Sequence, residues 1–291
     1  MAAAQETLEE WLRREPFTLA MSSSFFGFFA HAGALRALCE AGLHPARVCG
    51  SSSGSIIASL YCGGLDPSTT LPELLAALKT TDILTPFWRA PLSLRPGFFR
   101  INEAFLLSKT PLSRLEAGRV PISVSTYDLF ARRVVTHSEG DVHTVVAASC
   151  AIPGIMSAVQ LNGRTHVDGG VGDLLGLASC TSDERVLSVD LLTQGLMTMR
   201  SWHVKVLGAR PRSAEAKLVG CTRLQLRGLP FVGPATMSAR AVEAMEAGAA
   251  AMRAALKSRG EWGGERVHVA DVPERGTAVE EAVPVSASVA A

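Results

Sequence analysis

Ser52 is the residue of the chain whose type and setting point most directly to chemistry. It lies at the centre of a G-x-S-x-G pentapeptide, Gly50 to Gly54, between two apolar stretches (46–49 and 56–61). This arrangement predicts a nucleophile elbow, a cramped strand-to-helix turn that tolerates only small neighbours. Such a turn raises the serine hydroxyl above the sheet and points the start of the next helix at a developing oxyanion. We therefore predict Ser52 as a nucleophile, in preference to a solvated Gly/Ser linker.

A serine nucleophile requires a general base, and the seven histidines of the chain offer one route to it. Hydrolases that carry a Ser-His-Asp triad on an elbow have the three residues in the order serine, acid, histidine. Only His203 and His268 follow the candidate acids Asp168 and Asp190. His268 lies in a segment that we expect to be mobile, and no motif surrounds His203. A histidine route with His203 as the base therefore stays open as an alternative.

The carboxylate of Asp168 offers a second route. Asp168 ends a predicted β-hairpin, residues 158–167, whose Asn-Gly turn is a strong hairpin signal. Gly169 and Gly170 follow at once, and they let the backbone turn sharply beside the carboxylate. Partial burial of a carboxylate raises its pKa and makes it a better base toward a serine hydroxyl. An isolated Asp-Gly-Gly is usually an exposed turn, so this role depends on a nearby elbow.

Composition excludes several classes of function. The 291 residues are 47% hydrophobic and 19% charged, which is typical of a folded chain with a filled core. A net charge of +1 without a basic block gives no surface for nucleic acid. The six cysteines are scattered and form no C-x-x-C pair. We therefore expect free thiols in a reducing compartment, and neither a metal site nor disulfides.

The elements that must position Ser52 and Asp168 follow the order strand, loop, helix, strand, elbow, helix. This order predicts a parallel sheet covered by helices. We predict an amphipathic helix within residues 1–16, a catalytic domain over 17–257 and a mobile tail over 258–291. The apolar run 17–34 follows two arginines and resembles a secretion signal. Because glutamates flank this run and serines interrupt it, we expect neither a signal nor an anchor.

An irregular segment, residues 82–100, combines aromatic side chains with prolines and arginines. Its aromatic residues are Phe87, Trp88, Phe98 and Phe99. We expect these rings to fill the core of the domain itself. The alternative is a lid that lies on a lipid surface.

Three motifs, taken in order, resemble the patatin-like phospholipase family: a Gly/Ser-rich loop before a helix, the G-S-S-S-G elbow and D-G-G. The stretch 147–154 adds to the resemblance, which extends from about residue 17 to residue 190. It implies a three-layer α/β/α sandwich with a central, mostly parallel sheet. It also implies hydrolysis of lipid acyl esters by a serine–aspartate dyad without histidine, with Ser52 as the nucleophile and Asp168 as the general base.

The same resemblance implies what the protein meets in the cell. The substrate would be a lipid or another acyl ester, and the partner surface a membrane or a lipid droplet contacted peripherally. No cofactor, metal or nucleic acid is implied. We expect a cytoplasmic location with peripheral membrane association.

The loop before the first long helix departs from the family pattern, in which glycines and a basic residue precede a His-x-Gly. The family glycines fall on Ser23, Ser24 and Phe25, and Gly27 takes the place of the basic residue. Since backbone N–H groups stabilise an oxyanion, we expect the loop to serve if its turn survives. We expect Gly27 to take the positive φ that would strain Phe25. The predicted oxyanion hole consists of Ser24, Phe25, Phe26, Gly27 and Ser53.

The altered loop also supports an alternative, a catalytically impaired relative that binds lipid or a partner protein. Loss of the basic residue removes a charge that would favour an anionic intermediate or a phosphate group. His31, near the start of the helix, is expected to pack or to hydrogen-bond the loop rather than to act in catalysis. The glycines predicted to support the elbow and the dyad are Gly50, Gly54, Gly169 and Gly170.

Overall fold

A nine-stranded sheet forms the centre of the protein. The computed structural model describes residues 5–86, 99–101, 112–191, 220–264 and 267–273, without the side chains of 83–86 and 99–101. The strands are β1 (Glu6–Thr7), β2 (Thr18–Met21), β3 (Arg47–Ser51), β4 (Leu84–Pro86), β5 (Phe99–Ile101), β6 (Ile122–Asp128), β7 (Arg133–His137), β8 (Val159–Leu161), β9 (Arg164–Asp168), β10 (Val186–Leu191), β11 (Cys221–Arg227), β12 (Arg259–Gly260) and β13 (Val267–Asp271).

The order of strands in the central sheet is β13-β11-β10-β2-β3-β6-β9-β8, and β7 pairs with β6 outside this path. The strands from β13 to β6 are parallel, whereas β7, β8 and β9 are antiparallel to their neighbours. All residues of β2, β6 and β10 are buried, as expected for strands covered on both faces. The α/β class with a central, mostly parallel sheet is confirmed.

One large buried cluster joins the helices to one face of the sheet. The helices are α1 (Leu8–Arg13), α2 (Phe28–Glu40), α3 (Ser53–Cys62), α4 (Thr70–Ala76), α5 (Thr80–Ile83), α6 (Val142–Ser149) and α7 (Met237–Lys257). On the opposite face, Leu175 and Leu177 of the segment after β9 pack with Ala20 of β2 and Cys49 of β3. Side chains therefore alternate between two cores along β2 and β3.

Helices α2 and α7 cross in direct backbone contact. A Cβ atom on Gly33 of α2 would lie 1.9 Å from the carbonyl oxygen of Met245, and one on Gly248 of α7 would lie 2.2 Å from that of Ala30. Only glycine fits at either position, because any side chain would push the helices apart. This contact fixes α2, and with it the loop that precedes α2.

The predicted mobile tail is wrong in its first part. β13 extends the central sheet by pairing with β11, and β12 pairs with β1 near the other end of the chain. The Trp262 indole donates a hydrogen bond of 2.8 Å to the carbonyl oxygen of Glu6. Both β12 and β13 lie among glycines and charged residues, and no turn motif marks either of them, so no strand pattern stands out there. Residues 274–291 lie outside the described part of the chain.

The irregular segment 82–100 begins and ends in a small hairpin in which β4 pairs antiparallel with β5. Residues 87–98, the remainder of the segment for which a lid is the alternative prediction, lie outside the described residues. All six cysteines are free thiols.

Candidate active site

The predicted strand–turn–helix around Ser52 is present, and its backbone is strained. Ser52 follows β3 and caps α3 with φ 51° and ψ −120°, a conformation that L residues rarely adopt. A Cβ atom on Gly50 would lie 2.6 Å from the carbonyl carbon of Gly54, and one on Gly54 would lie 2.3 Å from the carbonyl oxygen of Met21. The glycines of the pentapeptide therefore leave room for a turn that no larger residue would allow.

The register of the sheet brings Asp168 to Ser52. Strand β3 ends at Ser51, which pairs with Ser125 of β6. The next residue of β6, Thr126, pairs with Asp168 of β9. Strand β7 pairs with β6 at both Ser125 and Thr126 and so occupies one side of β6 there. Strands β3 and β9 must therefore share the other side of β6, where the end of β3 meets the end of β9. The Ser52 hydroxyl donates a hydrogen bond of 2.6 Å to Oδ2 of Asp168.

The side chains of the dyad are almost completely buried. Ser52 is 3% and Asp168 1% exposed. Burial raises the pKa of Asp168 to about 7, although hydrogen bonds from Ser52 and from the Gly170 N–H act in the opposite direction. The Gly170 N–H donates to Oδ1 of Asp168 at 2.7 Å. A carboxylate with this pKa is ionised in part of the molecules at neutral pH and still basic enough to accept a serine proton.

The two glycines after Asp168 are needed for space rather than for backbone torsion. A Cβ atom on Gly169 would lie 2.2 Å from the carbonyl oxygen of Ser125, and one on Gly170 would lie 2.3 Å from Oγ of Ser23. The D-G-G turn is thus pressed against β6 on one side and against the loop before α2 on the other.

Two serines that the sequence analysis missed hold the elbow. The Ser52 N–H donates to Oγ of Ser149 at 2.9 Å, and that hydroxyl donates to the carbonyl oxygen of Ser125 at 2.7 Å. The Ser55 hydroxyl donates to the carbonyl oxygen of Ser52 at 2.6 Å. Ser149 belongs to the stretch 147–154 that contributed to the family resemblance, so its position in that stretch was the available signal.

The loop opposite the elbow corrects one prediction. Phe25 has φ +52°, whereas Gly27 has φ −69°, so the expected transfer of the positive φ to Gly27 is wrong. Gly27 is needed for space, because its Cβ atom would lie 2.2 Å from Oγ of Ser24. The Phe25 ring packs edge-on against that of Phe26, with centroids 4.7 Å apart, and this contact helps to hold the strained residue.

A pair of serine hydroxyls ties this loop to the elbow. Oγ of Ser24 lies 2.7 Å from Oγ of Ser53, and the Ser24 N–H donates to the same Ser53 oxygen at 3.0 Å. The hydroxyl of Ser53 also donates to the carbonyl oxygen of Ser22 at 3.4 Å. The residue next to the candidate nucleophile therefore fixes the loop in which serines replace the family glycines.

These contacts divide the five residues predicted for the oxyanion hole. The N–H of Ser24 is taken by Ser53, and the N–H of Gly27 donates to the carbonyl oxygen of Ser24 at 2.8 Å. Phe25 and Phe26 open a 3₁₀ turn, Phe25–Gly27, and Ser53 opens α3. At the first positions of a helix, N–H groups have no acceptor within the helix. The amides of Phe25, Phe26 and Ser53 are thus the ones able to serve an oxyanion.

His31 and His268 occupy different parts of the fold. Nε2 of His31 lies 2.9 Å from the carbonyl oxygen of Ser22, and burial lowers the pKa of His31 to about 4. His31 is therefore a neutral contact of the loop, in the place that the sequence analysis expected. His268 lies in β13, four strands from β3. His203, the base of the alternative triad, lies outside the described residues.

Within 5–86, 99–101, 112–191, 220–264 and 267–273, no group of three or more His, Cys, Asp or Glu side chains is arranged to hold a metal ion. Over the same ranges, every helix is too short or too polar to cross a membrane.

The motifs that form this site also relate the chain to known proteins. A family model described as patatin-like phospholipase matches residues 19–179, more than half of the chain. An uncharacterized NTE family protein of Mycobacterium tuberculosis (strain ATCC 25618 / H37Rv) is 28% identical over 178 residues, which are 61% of this chain and 49% of that protein. A lysophospholipase of Coccidioides immitis (strain RS) is 27% identical over 158 residues, which are 53% of this chain and 10% of that protein.

The chain thus spans about half the length of the mycobacterial relative. Among solved structures, VipD from Legionella pneumophila is similar with a TM-score of 0.47 and 13% identity, over 85% of this chain and 68% of that one. The family match covers the loop before α2, the elbow and the turn after β9. The chain belongs to the patatin-like phospholipase family.

Proposed function

We propose that the protein is a serine esterase that hydrolyses carboxylic esters of lipids with Ser52 as the nucleophile and Asp168 as the general base. The observation that carries this proposal is the 2.6 Å hydrogen bond between the two side chains at the strained elbow. Family membership supports the substrate class, as does the name of the lysophospholipase relative.

The reaction follows from the positions of these groups. Oγ of Ser52 attacks the ester carbonyl carbon while its proton passes to Oδ2 of Asp168. The amides of Phe25, Phe26 and Ser53, together with the start of α3, stabilise the negative charge on the carbonyl oxygen. The protonated carboxyl then gives its proton to the leaving alcohol oxygen, and an acyl-serine remains.

The second half repeats these steps with water. Asp168, again ionised, takes a proton from a water molecule that attacks the acyl carbon. The fatty acid leaves when Oγ of Ser52 recovers the proton. The pKa of about 7 suits Asp168 to both roles, because the carboxyl must gain and lose a proton once in each half.

A catalytically impaired relative is the second candidate, and the torsion of Phe25 favours it. A non-glycine residue at φ +52° costs about 1–2 kcal/mol, and a loop under strain holds its amides less firmly. The variant Phe25→Gly separates the two candidates. An active wild type whose turnover is unchanged or lower in Phe25→Gly supports the esterase, whereas an inactive wild type that gains turnover identifies the loop as the defect.

Hydrolysis of a soluble short-chain ester tests the dyad, and the chain supplies matched controls. Asp173 is buried like Asp168 and accepts a 2.6 Å hydrogen bond from the Ser125 hydroxyl, but Ser125 lies on no elbow. Ser59 is a buried serine of α3 whose hydroxyl donates to the carbonyl oxygen of Ile56.

We expect Ser52→Ala and Asp168→Asn to lose turnover by about a hundredfold or more, since a general base alone contributes that much. Folded Ser59→Ala and Asp173→Asn are expected to keep turnover. Equal losses in Asp168→Asn and Asp173→Asn would refute the role of Asp168. A loss confined to His203→Ala would support the histidine route instead.

A further inference from the structure

The parallel strands of the sheet finish at the end where Ser52 lies, and we call this end the carboxyl edge of the sheet. The carboxyl edge also carries two exposed phenylalanine side chains. Parallel strands β3, β6 and β11 all end at this edge. Phe130 follows β6 and is 80% exposed; Phe231 follows β11 and is 45% exposed. The other large apolar side chains exposed in the described part of the chain are valines, Val242 in α7 and Val267 at the start of β13.

The turn that carries Phe130 is built to hold it outward. The carboxylate of Asp128 accepts hydrogen bonds from the N–H groups of Phe130 at 3.1 Å and Ala131 at 2.9 Å. Its other oxygen accepts a hydrogen bond of 3.0 Å from the Arg164 guanidinium. Arg132 takes φ +52° to close the turn. The ring of Phe130 is therefore exposed on a turn that hydrogen bonds hold in place.

Arginines surround Phe130. Arg132 and Arg133 are exposed beside it, and Arg164 reaches the same place from the neighbouring strand β9 with 59% of its side chain exposed. Asp128 neutralises Arg164 only, and 2% of its own side chain is exposed. The exposed surface of this turn is thus aromatic and positively charged, which is the character of protein surfaces that bind anionic lipid.

The spacing of the two rings favours a lipid surface over a folded protein partner. Phe130 and Phe231 follow strands that are four positions apart in the sheet, which corresponds to about 19 Å at about 4.8 Å per strand. The nucleophile strand β3 lies between them. Protein interfaces bury a contiguous patch with an apolar centre, whereas separate rings enter a fluid interface independently.

We propose that the edge of the sheet around Ser52 docks on anionic membranes, with Phe130 and Phe231 inserted as anchors on either side of the nucleophile and Arg132 and Arg133 bound to lipid headgroups. The proposal rests on the proposed function for its choice of a lipid partner. At about 3.3 Å per residue along β9, Arg164 lies about 13 Å from Asp168, so a bound membrane would lie close to the dyad.

Co-sedimentation of the full chain with vesicles of phosphatidylcholine, with and without phosphatidylserine, tests this docking. Wild type is expected to bind the anionic vesicles more tightly, and added salt to weaken that binding. Phe130→Ala is expected to weaken partitioning about tenfold, and Arg132→Gln with Arg133→Gln about fivefold for each arginine. Val267→Ala at the opposite edge is the matched control and is expected to bind as wild type does.

Equal partitioning of Phe130→Ala and Val267→Ala would overturn the proposal. So would the absence of vesicle binding by wild type, which would leave a protein as the partner of this edge. Hydrolysis of a soluble ester separates this proposal from the proposed function. An inactive wild type that binds vesicles through Phe130 contradicts the esterase alone, and an active wild type whose vesicle binding ignores Phe130 and Arg132 contradicts the docking alone.

Discussion

Replacing Asp168 by asparagine is expected to stabilise the protein while it lowers turnover about a hundredfold or more. Burial raises the pKa of Asp168 from 3.8 to about 7. Between these two values an unfolded chain releases the proton that the folded chain keeps, so the free energy of unfolding falls as the pH rises through this window. The loss is absent below about pH 4 and complete above about pH 7. Because asparagine does not titrate, the free energy of unfolding of Asp168→Asn does not fall in this way.

The magnitude follows from the size of the pKa change. A rise of about 3 units at 1.36 kcal/mol per unit corresponds to about 4 kcal/mol above pH 7, as an order of magnitude. The amide also fits the site. Its oxygen accepts the N–H of Gly170 as Oδ1 of Asp168 does, and its nitrogen donates to Oγ of Ser52, whose hydrogen is free to rotate.

Urea unfolding of wild type and Asp168→Asn, followed by tryptophan fluorescence at several pH values from 5 to 8, measures this effect. The variant is expected to gain about 2 kcal/mol over wild type between pH 5 and pH 7, because the slope of about 1.36 kcal/mol per pH unit falls to half as the pH reaches the pKa of about 7. Asp173→Asn is the control for the fit of an amide rather than for the pH effect, because burial raises the pKa of Asp173 as well. Both carboxylate oxygens of Asp173 accept backbone N–H groups, from Leu177 and Ala178, so an amide nitrogen there would face a donor and destabilise the fold. A pH-independent difference between wild type and Asp168→Asn would refute the reasoning.

The remaining predictions concern turnover. Because Asp168 must be ionised to accept the serine proton, kcat/KM on a soluble ester is expected to rise with pH and to level off above about pH 7; a profile flat from pH 5 to 8 would contradict this. Ser53→Ala removes the hydroxyl that holds Ser24, so kcat is expected to fall about tenfold or more with little change in KM, whereas the helix serine variant Ser59→Ala keeps both. Gly27→Ala places a Cβ atom 2.2 Å from Oγ of Ser24 and is expected to lower kcat in the same way, with unchanged circular dichroism; normal kcat in Gly27→Ala would show that the loop position does not matter.

The parts of the site that could be predicted from the sequence each depend on residues that are close together in the chain. The elbow at Ser52 and the turn after Asp168 each need small residues within a few positions, and such needs are written in contiguous sequence. The meeting of β3 and β9 along one edge of β6 depends on strand register instead. Register is set by the packing of the whole sheet, so single-strand patterns do not specify it.

The errors have physical causes of the same kind. The prediction assumed that Gly27 is a glycine because its φ is positive. The structure shows instead that glycine is required there by the close approach of Ser24, and that Phe25 has the positive φ. Ser149 reaches the Ser52 amide from a helix about a hundred residues away along the chain. Strand β13 was missed because glycines and charged residues flank it and no turn motif such as the Asn-Gly of the hairpin 158–167 marks it.

The most direct test of the account is labelling with a fluorophosphonate probe, which reacts with an activated serine and needs no knowledge of the substrate. Wild type, Ser52→Ala and Asp168→Asn are treated side by side, with Ser59→Ala as the control, and the labelled peptide is identified by mass spectrometry. We predict a label on Ser52 in wild type and in Ser59→Ala, none in Ser52→Ala, and labelling slower by about a hundredfold in Asp168→Asn. A label on another serine, or equal labelling rates in wild type and Asp168→Asn, would contradict the serine–aspartate dyad.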